Sequence, residues 1–540
     1  MKKMFWYVGL CFMVSLFVVP HVSAGWQDME VLKYTFDIDV GSRNQWYPWV
    51  EYNQIDNEFM VVYRTSGPLR DDCEPGDEYD CLPDLQSIDA RRVSPDGVVL
   101  GGPLLWSPPE PGHKHAPKIA HNNIINEYMI VFPRGYETND MEMNITRTDN
   151  LGNTVYGPTS LYPRQNDAAL PVVIFNPEKR EYLVIYGDRG LFNSWQNNIG
   201  FILNEDGSQR TGPFPVGSQL GDMYAPLGAY NPSNDTYLVV WEDFRRVPDW
   251  IHPCDIYGAL LDDDGNMLAE IPIMDDFGMP DEGDARVPNI AYNPDKNEFL
   301  VIWEVKKMSL DEPGLMGVGI RGRIINADGT LAGPAFTIID EPRIQHWPSI
   351  VYVQDEKKYF MVWTDTRDDG LPAGDPWYAS IDMDCYGIWL DDTGNPLGDE
   401  IPLSTGDDWQ MSGVVSYNPV EKRFLIAWYD RQAINLNDTP FAEAPSAVRG
   451  TLYGVPSFLS GRITEAEEGT PVEDAWVIVM GPGMFKIERT NVGGWWNIPK
   501  KSQRMGNYLI ITLKNGHTPG VKMVTYDGEP LKVTIESPRR

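Results

Sequence analysis

The chain has 540 residues and a formal charge of −34, with 18 Trp, 26 Tyr and 19 Phe. That length exceeds one ordinary compact core, and so many aromatic residues argue against disorder over most of it. So acidic a surface repels phosphate backbones and anionic lipid headgroups, which excludes nucleic acid as a partner and favours divalent cations or cationic and neutral ligands such as sugars.

In chain order, Lys2 and Lys3 precede an apolar run from Met4 to Pro20, and Val22-Ser23-Ala24 offers the small residues of a signal-peptidase site. Residues 1–24 are therefore expected to be a bacterial-type export signal, cleaved near Ala24, which places the mature protein in the periplasm or outside the cell. The run is short for a membrane span, no later stretch could cross a bilayer, and no lipoprotein cysteine follows the site. Cys73 and Cys81 bracket CEPGDEYDC, an acidic, turn-rich loop that an oxidising compartment would close as a local disulfide. Cys254 and Cys385 suggest no pairing by inspection, and the absence of CxxC and CxxCH excludes thioredoxin-like chemistry and haem attachment.

One apolar run recurs seven times, in the form NEFMVVYR, NEYMIVFPR, REYLVIYGDR, DTYLVVWEDFR, NEFLVIWE, KKYFMVWTDTR and KRFLIAWYDR. Its first aromatic residue is Phe59, Tyr128, Tyr182, Tyr237, Phe299, Tyr359 and Phe424, in steps of 69, 54, 55, 62, 60 and 65 residues. Each run follows a short proline-started strand and a tight turn, as in VPNIAYNPDKNE. Each also precedes a strand, an Asp-Gly or Gly-Asn turn and another strand. The unit is four antiparallel strands. Consecutive apolar residues such as Phe299 to Trp303 fit a middle strand covered on both faces, which is how propeller blades pack. The expected fold is all-β: a seven-bladed β-propeller over 25–455, with an open solenoid as the competing architecture. The seventh unit lacks its fourth strand, and EVLKYTFDIDVG (30–41) is expected to supply it and seal the ring.

Residues 456–540 change character. SGRIT, GTPVEDAWVIV, TNVGGWWNIP and YLIITLKNGH resemble the carboxypeptidase regulatory-like, transthyretin-like β-sandwich family across nearly all of this segment. The resemblance implies a non-catalytic accessory domain and no peptidase activity. The repeats, with their Y-N-P, E-[FY]-[LM]-V-x-[WY] and W-x-D-x-R pattern, resemble those of exported bacterial propeller proteins, while the S-x-D-x-G-x-x-W box of sialidases is absent.

The long loops, 65–89, 368–384 and 432–445, are expected on one face, and function with them. Counting back from the proline that opens the first strands, with Gly413 in its place in the seventh, gives two columns. Two residues earlier stand Trp46, His115, Ala169, Tyr224, Arg286, His346 and Met411. Four residues earlier stand Asn44, His113, Asp167, Asp222, Asp284, Ile344 and Trp409. A spacing of two keeps side chains on one face, so both columns are expected to ring the funnel mouth. For a sugar, Trp46, Tyr224 and Trp409 could stack while Asp167, Asp222, Asp284 and Arg286 hydrogen-bond, with His113, His115 and His346 beside them. Two of those carboxylates at suitable separation would make a glycoside hydrolase or lyase. A plain solvated rim fits the same variety.

A zinc reading of His113 and His115 needs a third ligand, and His346 lies four units on, so no metal is assigned. Calcium is a possible ion at DDCEPGDEYD (71–80), whereas DDDGN (262–266) reads as a hairpin turn. The W-x-D-x-R carboxylate and guanidinium read as a structural bridge. The leading functional expectation is an exported, non-enzymatic propeller binding a carbohydrate or an envelope or extracellular protein on its long-loop face. The alternatives are a carbohydrate-active hydrolase or lyase and an assembly scaffold.

Overall fold

The computed structural model describes residues 25–41, 44–66, 86–110, 113–114, 116–135, 141–162, 168–189, 196–218, 222–245, 254–274, 285–308, 316–341, 344–367, 382–406, 409–431, 446–465, 469–500 and 503–539. The export signal at 1–24, the Cys73–Cys81 pairing and the calcium candidate at 71–80 lie outside the described residues. Among the described residues no helix is long and apolar enough to cross a membrane.

Between Glu30 and Gly454 the described residues form seven sheets of antiparallel strands, each sheet following chain order outward from its first strand. The first holds Asn44–Asn53, Glu58–Ser66, Gln86–Val93 and Val99–Glu110. The second has its first strand in two pieces, His113–Lys114 and Lys118–Asn122, then Glu127–Gly135, Glu142–Asp149 and Thr154–Ser160. The third holds Ala169–Asn176, Glu181–Arg189, Gln196–Asn204 and Gln209–Val216, and the fourth Met223–Asn231, Thr236–Asp243, Asp255–Asp262 and Met267–Met274. The fifth holds Ala285–Asn293, Glu298–Met308, Met316–Asn326 and Phe336–Ile339, and the sixth Gln345–Val353, Lys358–Asp365, Asp384–Leu390 and Pro396–Ser404. The seventh takes Trp409–Asn418, Arg423–Arg431 and Ser446–Gly454, and its outermost strand is Glu30–Asp39 from the other end of the chain.

The unbroken apolar runs have a direct cause. In the fifth sheet Phe299, Val301 and Trp303 pack against Leu238, Val240 and Ile256 of the fourth. Their neighbours Leu300 and Ile302 pack against Tyr359, Met361 and Trp363 of the sixth. All five are fully buried, so alternation with polar residues would place polar groups in one core or the other. The same division repeats around the molecule, from Met60 and Val62 against Tyr128 and Ile130 to Phe360 and Val362 against Phe424 and Ile426. The last core joins Leu425 and Ala427 of the seventh sheet to Phe59, Val61 and Tyr63 of the first, with Phe36 and Ile38 of the N-terminal strand. First strands lie against one another in turn, and that of the seventh sheet lies against that of the first.

The asparagines that end the first strands tie the sheets together. Asn176 accepts the backbone N–H groups of Glu178 and Lys179 at 3.0 and 3.1 Å, closing its own turn, and its amide donates to Asp235 and the Tyr237 hydroxyl of the next sheet at 2.8 and 2.9 Å. Asn53 does the same toward Asn126 and Tyr128. Asn418 of the seventh sheet donates to Asn57 of the first at 2.8 Å, fully buried, across the joint between the chain's ends. Asn57, Asn126 and Asp235 sit at φ near +55°, a conformation that Asn and Asp tolerate better than branched residues.

Residues 457–536 form two more sheets. One orders Trp495–Pro499, Ser457–Thr464 and Leu531–Glu536, and the other Met484–Arg489, Trp476–Gly481, Gly506–Leu513 and Gly520–Tyr526. Phe458, Val477, Val479, Trp496, Tyr508, Ile510 and Val533 form one core from both. This unit sits on the face of the short turns: the Trp495 indole donates to the Ile55 carbonyl at 2.9 Å, Asn491 to the Gln54 carbonyl at 2.8 Å, and Arg423 to Ser457 at 2.8 Å.

Candidate functional site

Six first strands carry one residue too many beside the proline, or beside Gly413 in the seventh sheet. In the first sheet Trp46 opposes Arg64 and Trp49 opposes Val62, so the first strand advances three residues while its partner advances two. The same shift falls at Ala169/Val172, Tyr224/Leu227, Arg286/Asn289, His346/Ser349 and Met411/Val414. Proline cannot donate to the ladder there, and the residue before it swings to positive φ: 53° at Tyr47, 46° at Leu170, 49° at Ala225, 47° at Val287 and 49° at Trp347, as does Ser412 before Gly413 at 53°. For β-branched Val287 this is a strained conformation. Carboxylates of the preceding sheet hold two of these bulges, Glu242 accepting the Val287 N–H at 2.9 Å and Glu304 the Trp347 N–H at 3.2 Å.

The bulge decides where the two predicted columns go. Trp46 lies beside Tyr47 and Tyr429, with the guanidinium groups of Arg64 and Arg431 5.5 and 5.2 Å from its ring centre. Trp409 is fully buried against Met383, Met411 and Tyr429, so its faces are taken up by protein. Tyr224 meets Phe244 edge-on, Arg286 lies 4.8 Å from the same Phe244 ring centre, and Arg286 approaches Glu242 at 3.7 Å. His346 is buried, its Nδ1 2.8 Å from Glu304. Asp222 is also buried, its backbone carbonyl accepting the Phe244 N–H. The side chain of His113, with His115, Asp167 and Asp284, lies outside the described residues. The described members thus gather in small groups, Trp46 with Trp409 and Tyr224 with Arg286, and none of them is in the lining of the two cavities that run along the first strands.

Among the described residues, the linings of these two cavities come from positions that the count from the proline passed over. The bulge residues Tyr47, Leu170, Val287 and Trp347 frame a narrow cavity of about 310 Å³ on the side where first strands begin. Beyond it lies a wider chamber of about 890 Å³, reaching turn residues Gln54, Pro177, Asp355 and Pro419 on the opposite side. Both share Trp49, Lys118, Leu227, Asn289 and Ser349. The larger space thus reaches the short-turn face, and the long loops of the other face lie outside the described residues. The C-terminal unit stands beside it: a groove of about 550 Å³ between that unit and the turns shares Gln54, Asp355 and Pro419 with the chamber rim. The column one residue after the proline reads Trp49, Lys118, Val172, Leu227, Asn289, Ser349 and Val414, and its variety was the signal available in the sequence.

Within the chamber, burial pushes the Glu51 carboxyl up to about 7, against a weaker opposing pull from the His121 N–H, 3.3 Å away. Burial also lowers His121 to about 4 and holds the Lys118 ammonium well below its ordinary range. A carboxyl that stays protonated to about pH 7 in the folded chain, but only to about 4.5 unfolded, stabilises the fold at low pH and loses that contribution as pH rises through this window. His121 acts in the opposite sense, losing stability as pH falls from 6.5 toward 4. Glu51→Gln is therefore expected to gain about 1 kcal/mol over the parent at pH 8 and nothing at pH 4.5, read from urea denaturation at both values.

The W-x-D-x-R pairs are structural. Asp243 accepts from the Trp241 indole at 2.8 Å and pairs with Arg245, which also reaches Glu270. Asp365, Trp363, Arg367 and Glu400 repeat the arrangement. Asp262 of the DDDGN turn accepts the backbone N–H groups of Asp264 and Asn266, as a hairpin turn requires. Cys254 and Cys385 are buried, and the Cys254 thiol donates to the Ala285 carbonyl at 2.6 Å.

No family model and no curated protein matches the chain. Among solved structures it is similar to a Dyadobacter fermentans protein of unknown function, at 11% identity and TM-score 0.43, covering 79% of this chain and 99% of that one. It is similar to the β-propeller domain of the trilobed protease from Pyrococcus furiosus at 12% identity and TM-score 0.40, covering 75% and 93%. It is also similar to the polysaccharide lyase Uly1 at 8% identity and TM-score 0.45, covering 78% and 99%. At these values no neighbour's activity transfers to this chain.

Proposed function

We propose that this chain is an exported seven-bladed β-propeller, sealed by its N-terminal strand, that acts as a non-enzymatic binding protein for a carbohydrate-type ligand. Its C-terminal unit, of the carboxypeptidase regulatory-like, transthyretin-like type, serves as a spacer or docking module. The observation that carries this reading is the lining of the axial chamber. Turns, inter-sheet cores and bulges repeat from unit to unit, yet the wall facing the chamber changes at each step, from Trp49 and Lys118 through Val172 and Leu227 to Asn289 and Ser349. A scaffold under purely structural demand would repeat there too. The volume falls within the range of ligand pockets, about 300–1,000 Å³.

The test is a glycan array probed with the mature protein and with Asn289→Trp, which sets a bulky ring at a half-buried wall position that both cavities share. Binding by the parent that the variant loses supports the reading. Binding that the variant keeps moves the site elsewhere, to the long-loop face first. Release of new reducing or unsaturated ends from a bound glycan would replace the reading with that of a hydrolase or lyase.

A further inference from the structure

Lys118 stands apart from the other cations of the ring. The chain holds 78 acidic and 44 basic residues, and its buried or half-buried bases generally meet carboxylates. Arg147 pairs with Glu127, Arg245 with Asp243 and Glu270, and Lys422 with Asp355. Lys118 instead extends into the chamber with its ammonium 3.1 Å from the centre of the Trp49 ring, and among the described residues no hydrogen bond or ion pair meets it. A cation taken from water without a counter-charge is costly, and the aromatic face offsets only part of that cost.

We infer that the axial chamber takes a sugar acid, a small polyol bearing one carboxylate, with Lys118 as its counter-charge and Trp49 as its stacking platform. The inference rests on the reading of the chamber as a binding site. Across the channel Asn289 and Ser349 offer groups for hydroxyls, and Val172 and Leu227 form an apolar flank. Among the described residues no arginine lines either cavity and His121 is the one further base along the chamber wall, so the site suits a single negative charge and not a phosphate dianion. Glu51 adds no repulsion while burial keeps its carboxyl protonated, up to about pH 7, and its O–H is then a donor.

The experiment is calorimetric titration at pH 6 of the mature protein with glucuronate, its neutral amide glucuronamide, and glucose, repeated on Lys118→Met, Lys118→Arg and Asn289→Trp. The expected result is binding of glucuronate about 10-fold or more tighter than of the two neutral sugars. That preference disappears in Lys118→Met, persists in Lys118→Arg, and all binding disappears in Asn289→Trp. Equal affinity for acid and amide, or an acid preference that survives Lys118→Met, overturns the inference while leaving the chamber as a sugar site. Binding untouched by Asn289→Trp overturns the chamber itself. Absence of binding by all three probes overturns the sugar-acid assignment, and the array result then decides the broader reading separately. Matching far-ultraviolet circular dichroism of the Lys118→Arg and Lys118→Met proteins separates a lost charge from a lost fold.

Discussion

Trp303→Ala is expected to lower stability by about 3–5 kcal/mol, and Ile302→Ala, one residue away, by about 2–5 kcal/mol. In a half-exposed strand only one of two consecutive residues pays such a penalty, because the other faces water. Here Trp303 fills the core shared with Leu238, Val240 and Ile256, and Ile302 fills the core shared with Met361 and Trp363. Both are fully buried. Urea denaturation of the two variants measures the difference. A small effect for either residue would mean that one flank of the fifth sheet is open.

The second large effect concerns the joint. Removal of residues 25–41 takes away Phe36 and Ile38, each worth roughly 1.5–3 kcal/mol when buried. It also exposes the edge of Ser446–Gly454 along its whole length, with the aggregation hazard that unpaired edges carry. Asp39 goes as well, leaving the buried Tyr63 hydroxyl and Arg91 without the carboxylate they now meet at 2.5 and 3.0 Å. The expected product is aggregated or strongly destabilised, and a synthetic peptide spanning 30–41 added in trans is expected to restore a soluble monomer. A truncated chain that melts at the parent temperature would show that the strand is dispensable.

Much of the architecture was legible because it rests on short-range rules repeated many times. The double burial of Phe299 to Trp303, the Asn-Pro turns and the missing fourth strand of the last unit each have one physical explanation, and the explanations agree. The functional columns were less legible. Counting Trp46, Tyr224, Arg286 and His346 back from their prolines assumes unbroken alternation, and the extra residue beside each proline breaks it. A bulge of one residue leaves no mark in composition or spacing. The residues after the proline are past the bulge, and Trp49 and Glu51 are among those that line the chamber. Loop length pointed to the other face, whose long loops at 67–85, 368–381 and 432–445 lie outside the described residues. Glu242 and Glu304 could not be singled out either, since their task is to satisfy backbone N–H groups of the next sheet, a partnership that exists only after the sheets have packed.

An axial chamber exists only if the sheets close on themselves, and closure is where the chain's two ends meet. Asp37 and Arg449 lie opposite each other across that joint, bridged at 3.2 Å on the surface. With Asp37→Cys and Arg449→Cys combined, mild oxidation of the purified monomer followed by tryptic mass mapping should give one intramolecular disulfide linking the strand at 30–39 to the strand at 446–454, together with a higher melting temperature. Thiols that remain unlinked, or that link only between molecules, would contradict closure and the chamber with it.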